Sequence, residues 1–311
     1  MKYNDWLNFW LEHIVKPQTK QRTLWLYRSI VQGKLRETIG SKDLSELTPI
    51  FLQKFVSDLA VNGNKKSGNG LASNSINCII TIIQSSLKAA FSFGVLNAYT
   101  ADRIKRPRIF ERPISCFTVK EQKTLENAVL SAKNKSLFGV MLCLYTGLRI
   151  GELLALTWAD IDLKKGLLTV DKTCYDASDG NGHYCRMIDA PKTPSSMRHI
   201  PLPYYLTVLL RGKREGSVGE YVISSPSGKP IAIRSYQKSF SLLLSRLQLP
   251  HHGFHALRHT FATRALESGM DVKTLAEFLG HKSASVTLNR YVHVLNDHKR
   301  AMVNKLWKTL Q

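Results

Sequence analysis

Between Arg103 and Pro113 the chain loses all apolar periodicity and sets Arg103, Lys105, Arg106, Arg108 and Arg112 around Pro107 and Pro113. A basic, proline-punctuated stretch cannot sit in a core, and residues before proline are pushed away from helix. The chain is therefore predicted to fold as two bodies, residues 1–105 and 116–311, joined by a basic linker over 106–115. Both lengths suit an independent domain with its own core, so no staples are needed.

The first body reads as a helical bundle. Trp6, Phe9, Trp10, His13 and Ile14 recur at helical spacing, and Leu24, Tyr27, Ile30 and Val31 do so again after Pro17. Thr48-Pro49 supplies an N-cap and an N1 proline for a helix over about 49–60. Ser73 or Ser75 is placed to cap a fourth, running to about Phe93 with Ile76, Ile79, Ile80, Ile83, Leu87 and Ala90 on a broad apolar face. Between them Asn62 to Gly70 holds no apolar residue and should be an exposed loop, with Lys65 and Lys66 free to meet phosphate. Its glycines lack the preceding strand and following Gly-Lys-Thr/Ser of a P-loop.

In the second body, Thr118 and Glu121 form a capping box, and Leu137 to Tyr145 is a fully apolar helix. Alternation over 167–171, 186–190 and 198–202 predicts three short strands in a small antiparallel sheet. Helical periodicity returns from Tyr236 onward. The expected class is mainly α (α+β): an N-terminal helical bundle and a mostly helical second domain with one three-stranded sheet.

Lys and Arg number 44 against 23 Asp and Glu, a formal charge of +21. An excess this large, spread over both bodies, points to a polyanion gripped by both, and so to a clamp on nucleic acid. Lys65, Lys66, Arg103, Lys105, Arg106 and Arg108 are the candidate phosphate contacts. No apolar run approaches the roughly 20 residues that span a bilayer, so a membrane partner is not expected. The N-terminus carries an early acid and no apolar leader, so the cytoplasm of a bacterial or phage-infected cell is expected; a further domain ahead of Trp6 is not expected. The five cysteines form no CxxC pair, so reduced thiols are expected. Cys174, His183 and Cys185 lack a fourth ligand and ribbon spacing, so no metal site and no cofactor are expected.

Four strings of the second body carry the chemistry: Thr146-Gly-Leu-Arg-Ile-Gly-Glu-Leu153, Pro191-Lys-Thr-Pro-Ser-Ser-Met-Arg198, His255-Ala-Leu-Arg-His259, and Leu279-Gly-His281 with Asn289-Arg-Tyr291. Any one could arise by chance. All four in this order, over about 116–295, resemble the catalytic domain of the tyrosine recombinases of phage-integrase type, and the helical bundle resembles the core-binding domain of that family. The resemblance implies a site-specific DNA recombinase acting through a 3′-phosphotyrosyl intermediate, as a tetramer on double-stranded recombination sites.

Carried over by position, Arg149 and Arg258 hold the scissile phosphate, and the chemistry agrees, because guanidinium offers planar paired donors to developing charge. His255, at i−3 from Arg258, assists the nucleophile. His281, in the loop that Gly280 opens, supports the phosphate. Lys192, between the second and third predicted strands, is implied as the general acid for the 5′ oxygen. Tyr291, ten positions after His281, is implied as the nucleophile. Glu152 is expected to pack behind Arg149, and His259 to be structural.

A type IB topoisomerase uses a similar pocket, and a DNA-binding regulator could keep the fold without catalysis. Presence of all six catalytic positions argues against the second, and strand exchange between duplexes separates the first. Neither an acidic cluster for magnesium nor a P-loop is present, so metal and ATP independence is expected. Met302, Val303, Leu306, Trp307 and Leu310 mark one face of a C-terminal helix expected to dock in trans on a neighbouring subunit.

Overall fold

The computed structural model describes residues 1–64, 68–99, 101–109, 114–178, 184–189 and 197–291, together with Val303 and Trp307. Contacts divide the chain into two units, Met1–Arg112 and Pro113–Gln311, each with its own core.

The first unit is built from helices α1 (3–18), α2 (21–38), α3 (Pro49–Asn62) and α4 (Ser73–Ser92). Thr48 caps α3 through the Phe51 N–H, as its sequence predicts. Ala72, with no side-chain cap, stands at the N-cap of α4 in place of a serine. A finer departure lies in α1 and α2, where single π turns, Trp10–Val15 and Val31–Leu35, interrupt the regular repeat. Each takes up an extra residue, so that Trp10 and Val15 both face inward although five positions separate them. Phe9, expected on the buried face, is exposed, because the buried stripe of the preceding regular turns runs through Tyr3, Trp6, Leu7 and Trp10.

The basic stretch is held to this unit over its first half. Ile104 is buried, Gln84 donates to the Ala101 carbonyl, and Gln53 accepts from the Lys105 N–H. Arg106 is engaged as well: its guanidinium donates to the Asn77 carbonyl at 3.0 Å and to Gln84 Oε1 at 2.7 Å. Freedom ends where side chains find partners, and polarity alone does not reveal that.

In the second unit, α5 (Val119–Leu130), α6 (Phe138–Thr146), α7 (Ile150–Ala155), α8 (Tyr204–Glu215), α9 (Ile233–Arg246) and the start of α10 (His255–Glu267) surround one large apolar core, while the rest of α10 and α11 (Val272–Leu279) bury a smaller cluster around Leu266, Leu275, Leu279 and Tyr291. The Thr118–Glu121 capping box is present. Helix α8 starts well before Tyr236; Leu206 and Leu210, one turn apart, bury its inner face.

A small antiparallel sheet is present, with strand order β1-β2-β5: Ile161–Asp162, Leu167–Val170 and Arg198–Pro201. Its second and third strands are two that the alternation marks, in register Leu168 to Ile200. The remaining expected strand does not join them. Tyr184–Asp189 (β4) pairs with Thr173–Ser178 (β3) in a separate hairpin, in register Cys174 to Ile188, and Ile161–Asp162 takes its place. Among the described residues no helix is long and apolar enough to cross a membrane.

Candidate active site

Helix α6 ends at Gly147, whose φ of +65° lets the chain turn sharply into Arg149. A Cβ there would come within 2.6 Å of the Phe261 ring and 2.8 Å of Leu279, so both the backbone angle and the space require glycine. Arg149 then stands at the N-cap of α7, with its side chain 36% exposed. Helix α10 opens at His255 and carries Arg258 one turn later, buried to 2%. Helix α11 closes at Gly280 in the left-handed conformation, φ +62°, which turns His281 back toward α10.

That helix end is the organising feature of the site. The last carbonyls of a helix have no partner within it and carry the negative pole of its dipole. Three arginines from three other elements take them in succession. Arg198 Nε donates to the Phe278 carbonyl at 2.6 Å, Arg258 Nη2 to that of Leu279 at 2.6 Å, and Arg149 Nη2 to that of Gly280 at 3.3 Å. Arg258 Nη1 also donates to the Gly147 carbonyl at 2.8 Å, tying the two glycine turns together.

Glu152 does pack behind Arg149, and more firmly than its sequence position suggests. Its carboxylate accepts from Arg149 Nη1 at 2.8 Å and from the Arg149 N–H at 2.9 Å. Arg198 closes the other side at 2.8 Å, from a buried position on β5. Burial by itself raises such a carboxyl, but the hydrogen bond and charge of Arg198, joined by Arg149, hold Glu152 down at about 2. Its stabilising contribution is therefore complete above its ordinary value of 4.5 and fades as the pH falls toward 2. Removing one partner of a buried pair leaves the other charge uncompensated, at a cost of about 3–5 kcal/mol.

The histidines gather beside the arginines. Arg258 Nη2 lies 3.0 Å from His281 Nε2, and His281 Nδ1 lies 2.7 Å from the buried Thr287 hydroxyl. His255, open to solvent, stands edge-on to His259 with ring centroids 4.6 Å apart. Although part of the ring meets solvent, desolvation of the part that is covered, followed by the charges of Arg258, Arg290 and Arg149, lowers His255 to about 4. Burial does the same to His281, to about 4, and to His259, to about 3. All three are neutral imidazoles at neutral pH. Arg258 is lowered by burial, and then by Arg149, to about 9, which leaves it cationic there.

Tyr291, the last described residue of the helical run 284–291, has its side chain only 1% exposed, against Ala262, Ala265, Leu266, Leu275 and Leu279. Burial raises its phenol to about 12 against the opposing pull of Arg258 and Arg290. Its hydroxyl lies 2.7 Å from His259 Nδ1.

Of the residues expected in the site, the structure brings together Arg149, Glu152, His255, Arg258, His281 and Tyr291. Lys192 lies outside the described residues, as do Lys65 and Lys66. In the first unit Arg103, Lys105 and Arg108 are exposed, and Arg106 holds α4. Sequence reasoning missed the part played by Arg198, and it read His259 as structural without foreseeing its contact with Tyr291. The first was visible as the last residue of its motif, and the second as a histidine directly after Arg258, but neither string says what the side chain touches. Among the described residues no group of three His, Cys, Asp or Glu side chains could hold a metal ion.

Comparison with known proteins agrees with this architecture. The phage integrase family matches residues 118–298, and the N-terminal SAM-like domain of phage integrases matches residues 2–60. A tyrosine recombinase XerC-like protein of Caldanaerobacter subterraneus is 30% identical over 97% of this chain and 82% of its own. The fold is that of the integrase of transposon Tn1549 in complex with a circular intermediate DNA, with a TM-score of 0.81 and 21% identity over 98% of this chain and 99% of the other. A lambda integrase tetramer bound to a Holliday junction matches with a TM-score of 0.69 and 21% identity over 91% and 78%. With the match spanning more than half of the chain and the motif residues gathered at one helix end, the protein belongs to the phage integrase family of tyrosine recombinases.

Proposed function

We propose that this tyrosine recombinase exchanges strands between double-stranded recombination sites by two transesterifications, with Tyr291 as the nucleophile. The observation that carries the reading is the convergence of Arg149, Arg258 and His281 on the end of α11 beside the Tyr291 hydroxyl. In the first step Tyr291 Oη bonds to phosphorus as the bond to the 5′ oxygen breaks. His255, neutral and open to solvent, takes the phenolic proton. Lys192, by its place in the motif, returns one to the 5′ oxygen. The second step reverses the first with the 5′ hydroxyl of a partner strand, so the bond energy is kept in the phosphotyrosine.

Arg149 and Arg258 supply the positive charge that a divalent metal supplies elsewhere. Glu152, the carboxylate at the pocket among the described residues, is taken up by two arginines and cannot serve as a metal ligand. The reaction is accordingly read as independent of metal and ATP. A duplex carrying the recombination site, incubated with the protein in EDTA without nucleotide, is expected to yield a denaturation-resistant adduct at Tyr291. Loss of the adduct in EDTA with recovery in magnesium would sink the mechanism.

The active assembly is proposed as a tetramer in which the C-terminal helix docks on a neighbouring copy. Val303 and Trp307 are helical and 65% and 64% exposed, an apolar pair that water does not favour; Met302, Leu306 and Leu310 fall outside the described residues. The tetrameric state of the lambda integrase structure supports this reading. Deleting 298–311 is expected to leave a folded protein that binds one site and neither synapses nor recombines. Normal recombination by the truncated chain, or collapse of its second unit on thermal unfolding, would remove the basis for docking in trans.

A further inference from the structure

Beside the phosphate pocket lies a three-residue chain that the recombinase motifs leave unassigned. Tyr291 Oη is 2.7 Å from His259 Nδ1, and the opposite ring nitrogen, Nε2, faces Arg290 Nη2 at 3.4 Å. A guanidinium has donors and no acceptor. The Arg290 N–H can therefore meet Nε2 only at a lone pair, and a neutral imidazole with an accepting Nε2 carries its proton on Nδ1. His259 then donates to Tyr291, and the phenolic oxygen accepts. His281 follows the same logic: Arg258 Nη2 donates to its Nε2 at 3.0 Å, and its Nδ1–H donates to Thr287 Oγ1 at 2.7 Å.

We propose that His259, with its tautomer set by Arg290, is a further catalytic residue whose Nδ1–H aims the Tyr291 oxygen and stabilises the phenolate forming during attack. The proposal rests on the reading of Tyr291 as the nucleophile. It assigns no proton transfer to His259: the phenolic proton leaves toward His255, and His259 keeps its own throughout. A donor already in place needs no reorganisation when charge develops on the oxygen, which is the condition for transition-state stabilisation. Burial favours the arrangement, because desolvation keeps His259 neutral and raises the phenol, so the nucleophile needs such help. The titratable groups facing the pair are His255 and Arg258 on the helix of His259, Arg290 on that of Tyr291, His281 from the loop after α11, and Cys116 ahead of α5.

Single-turnover cleavage of a site-bearing duplex, followed from pH 6 to pH 10, tests this with His259→Ala, His259→Asn and Tyr291→Phe. Asparagine can place an amide donor near the position of Nδ1 but cannot act as a base in this range. His259→Ala is expected to bind DNA normally, to cleave about 100-fold more slowly, and to keep gaining rate at higher pH than the parent. His259→Asn is expected to stay within about tenfold of the parent, with an unshifted profile. If asparagine is as slow as alanine while DNA is bound, His259 is not a donor, and the proposal fails. Should alanine cleave like the parent, His259 has no part in the step. An adduct persisting in Tyr291→Phe would instead overturn the nucleophile itself, a separate result. Nitrogen-15 shifts of the His259 ring in the unmodified protein give a readout independent of any variant: protonated Nδ1 is expected, and protonated Nε2 would overturn the assignment.

Discussion

Tyr291→Phe is expected to fold, bind its DNA site with the parent's affinity, and form no covalent adduct, a fall in cleavage on the order of 10⁴-fold or more. The reasoning starts from how little else the change disturbs. The ring lies against Ala262, Leu266 and Leu275, and phenylalanine keeps that packing. The lost oxygen leaves the His259 Nδ1–H without its partner at 2.7 Å, which costs on the order of 1–3 kcal/mol, too little to unfold a domain with a core of this extent. Among the described residues Tyr236 is fully buried and donates to the Ser136 carbonyl, while Tyr204 and Tyr205 lie exposed on α8. Gel-shift titration, thermal unfolding and adduct formation measured on the same preparation check the three parts separately. An adduct in the variant, or a drop in its affinity equal to its drop in cleavage, would show that Tyr291 is not the nucleophile.

The site residues that the family resemblance marks, Lys192 apart, each sit beside a local backbone device. Gly147 and Gly280 announce left-handed turns, and Arg149 and His281 follow them by one or two residues. His255 and Arg258 share a helix, so their spacing alone puts them on one face. What joins these pieces is not local. Three arginines meet on the carbonyls of residues 278–280, and backbone carbonyls leave no trace in a sequence. The contact of His259 with Tyr291 spans 32 positions and depends on how α10 and the helical residues 284–291 pack. Arg198 is similar: alternation places it in a strand, but only the pairing of β2 with β5 and the approach of α11 show that it grips Glu152.

The sheet was legible in kind and not in pairing. Leu168 and Ile200 are buried on one face of β2 and β5, as their alternation predicts. The hairpin β3-β4 intervenes between those strands in sequence and leaves the sheet. Alternation along one strand cannot name its neighbour, because two candidates with the same pattern bury equally well. Helix α8 escaped notice for a different reason: Pro201 and Pro203 mark a turn, yet the second of them sits at the N-cap, where no helical hydrogen bond is lost.

The convergence on α11 gives the second large expectation, that Arg258→Lys is crippling although charge is conserved. Arg258 is 2% exposed and serves three acceptors at once, the Gly147 carbonyl at 2.8 Å, the Leu279 carbonyl at 2.6 Å and His281 Nε2 at 3.0 Å. A guanidinium has five N–H donors, and these contacts occupy three, leaving the Nε–H and one Nη1–H unassigned. An ammonium has three donors on one atom, and they cannot span acceptors arranged around a planar fork. Lysine therefore either satisfies the helix end and offers nothing to phosphate, or reaches the phosphate and leaves buried carbonyls unpaired at about 1–3 kcal/mol each. Cleavage is expected to fall about 10²–10³-fold, the cost of removing a preorganised donor to developing charge, with a lowered unfolding midpoint in denaturant. The two effects are separable, since cleavage is read on protein shown to be folded and DNA-bound. If Arg258→Lys cleaves within tenfold of the parent at unchanged stability, positive charge alone suffices, and the fork geometry at the end of α11 is not what holds the phosphate.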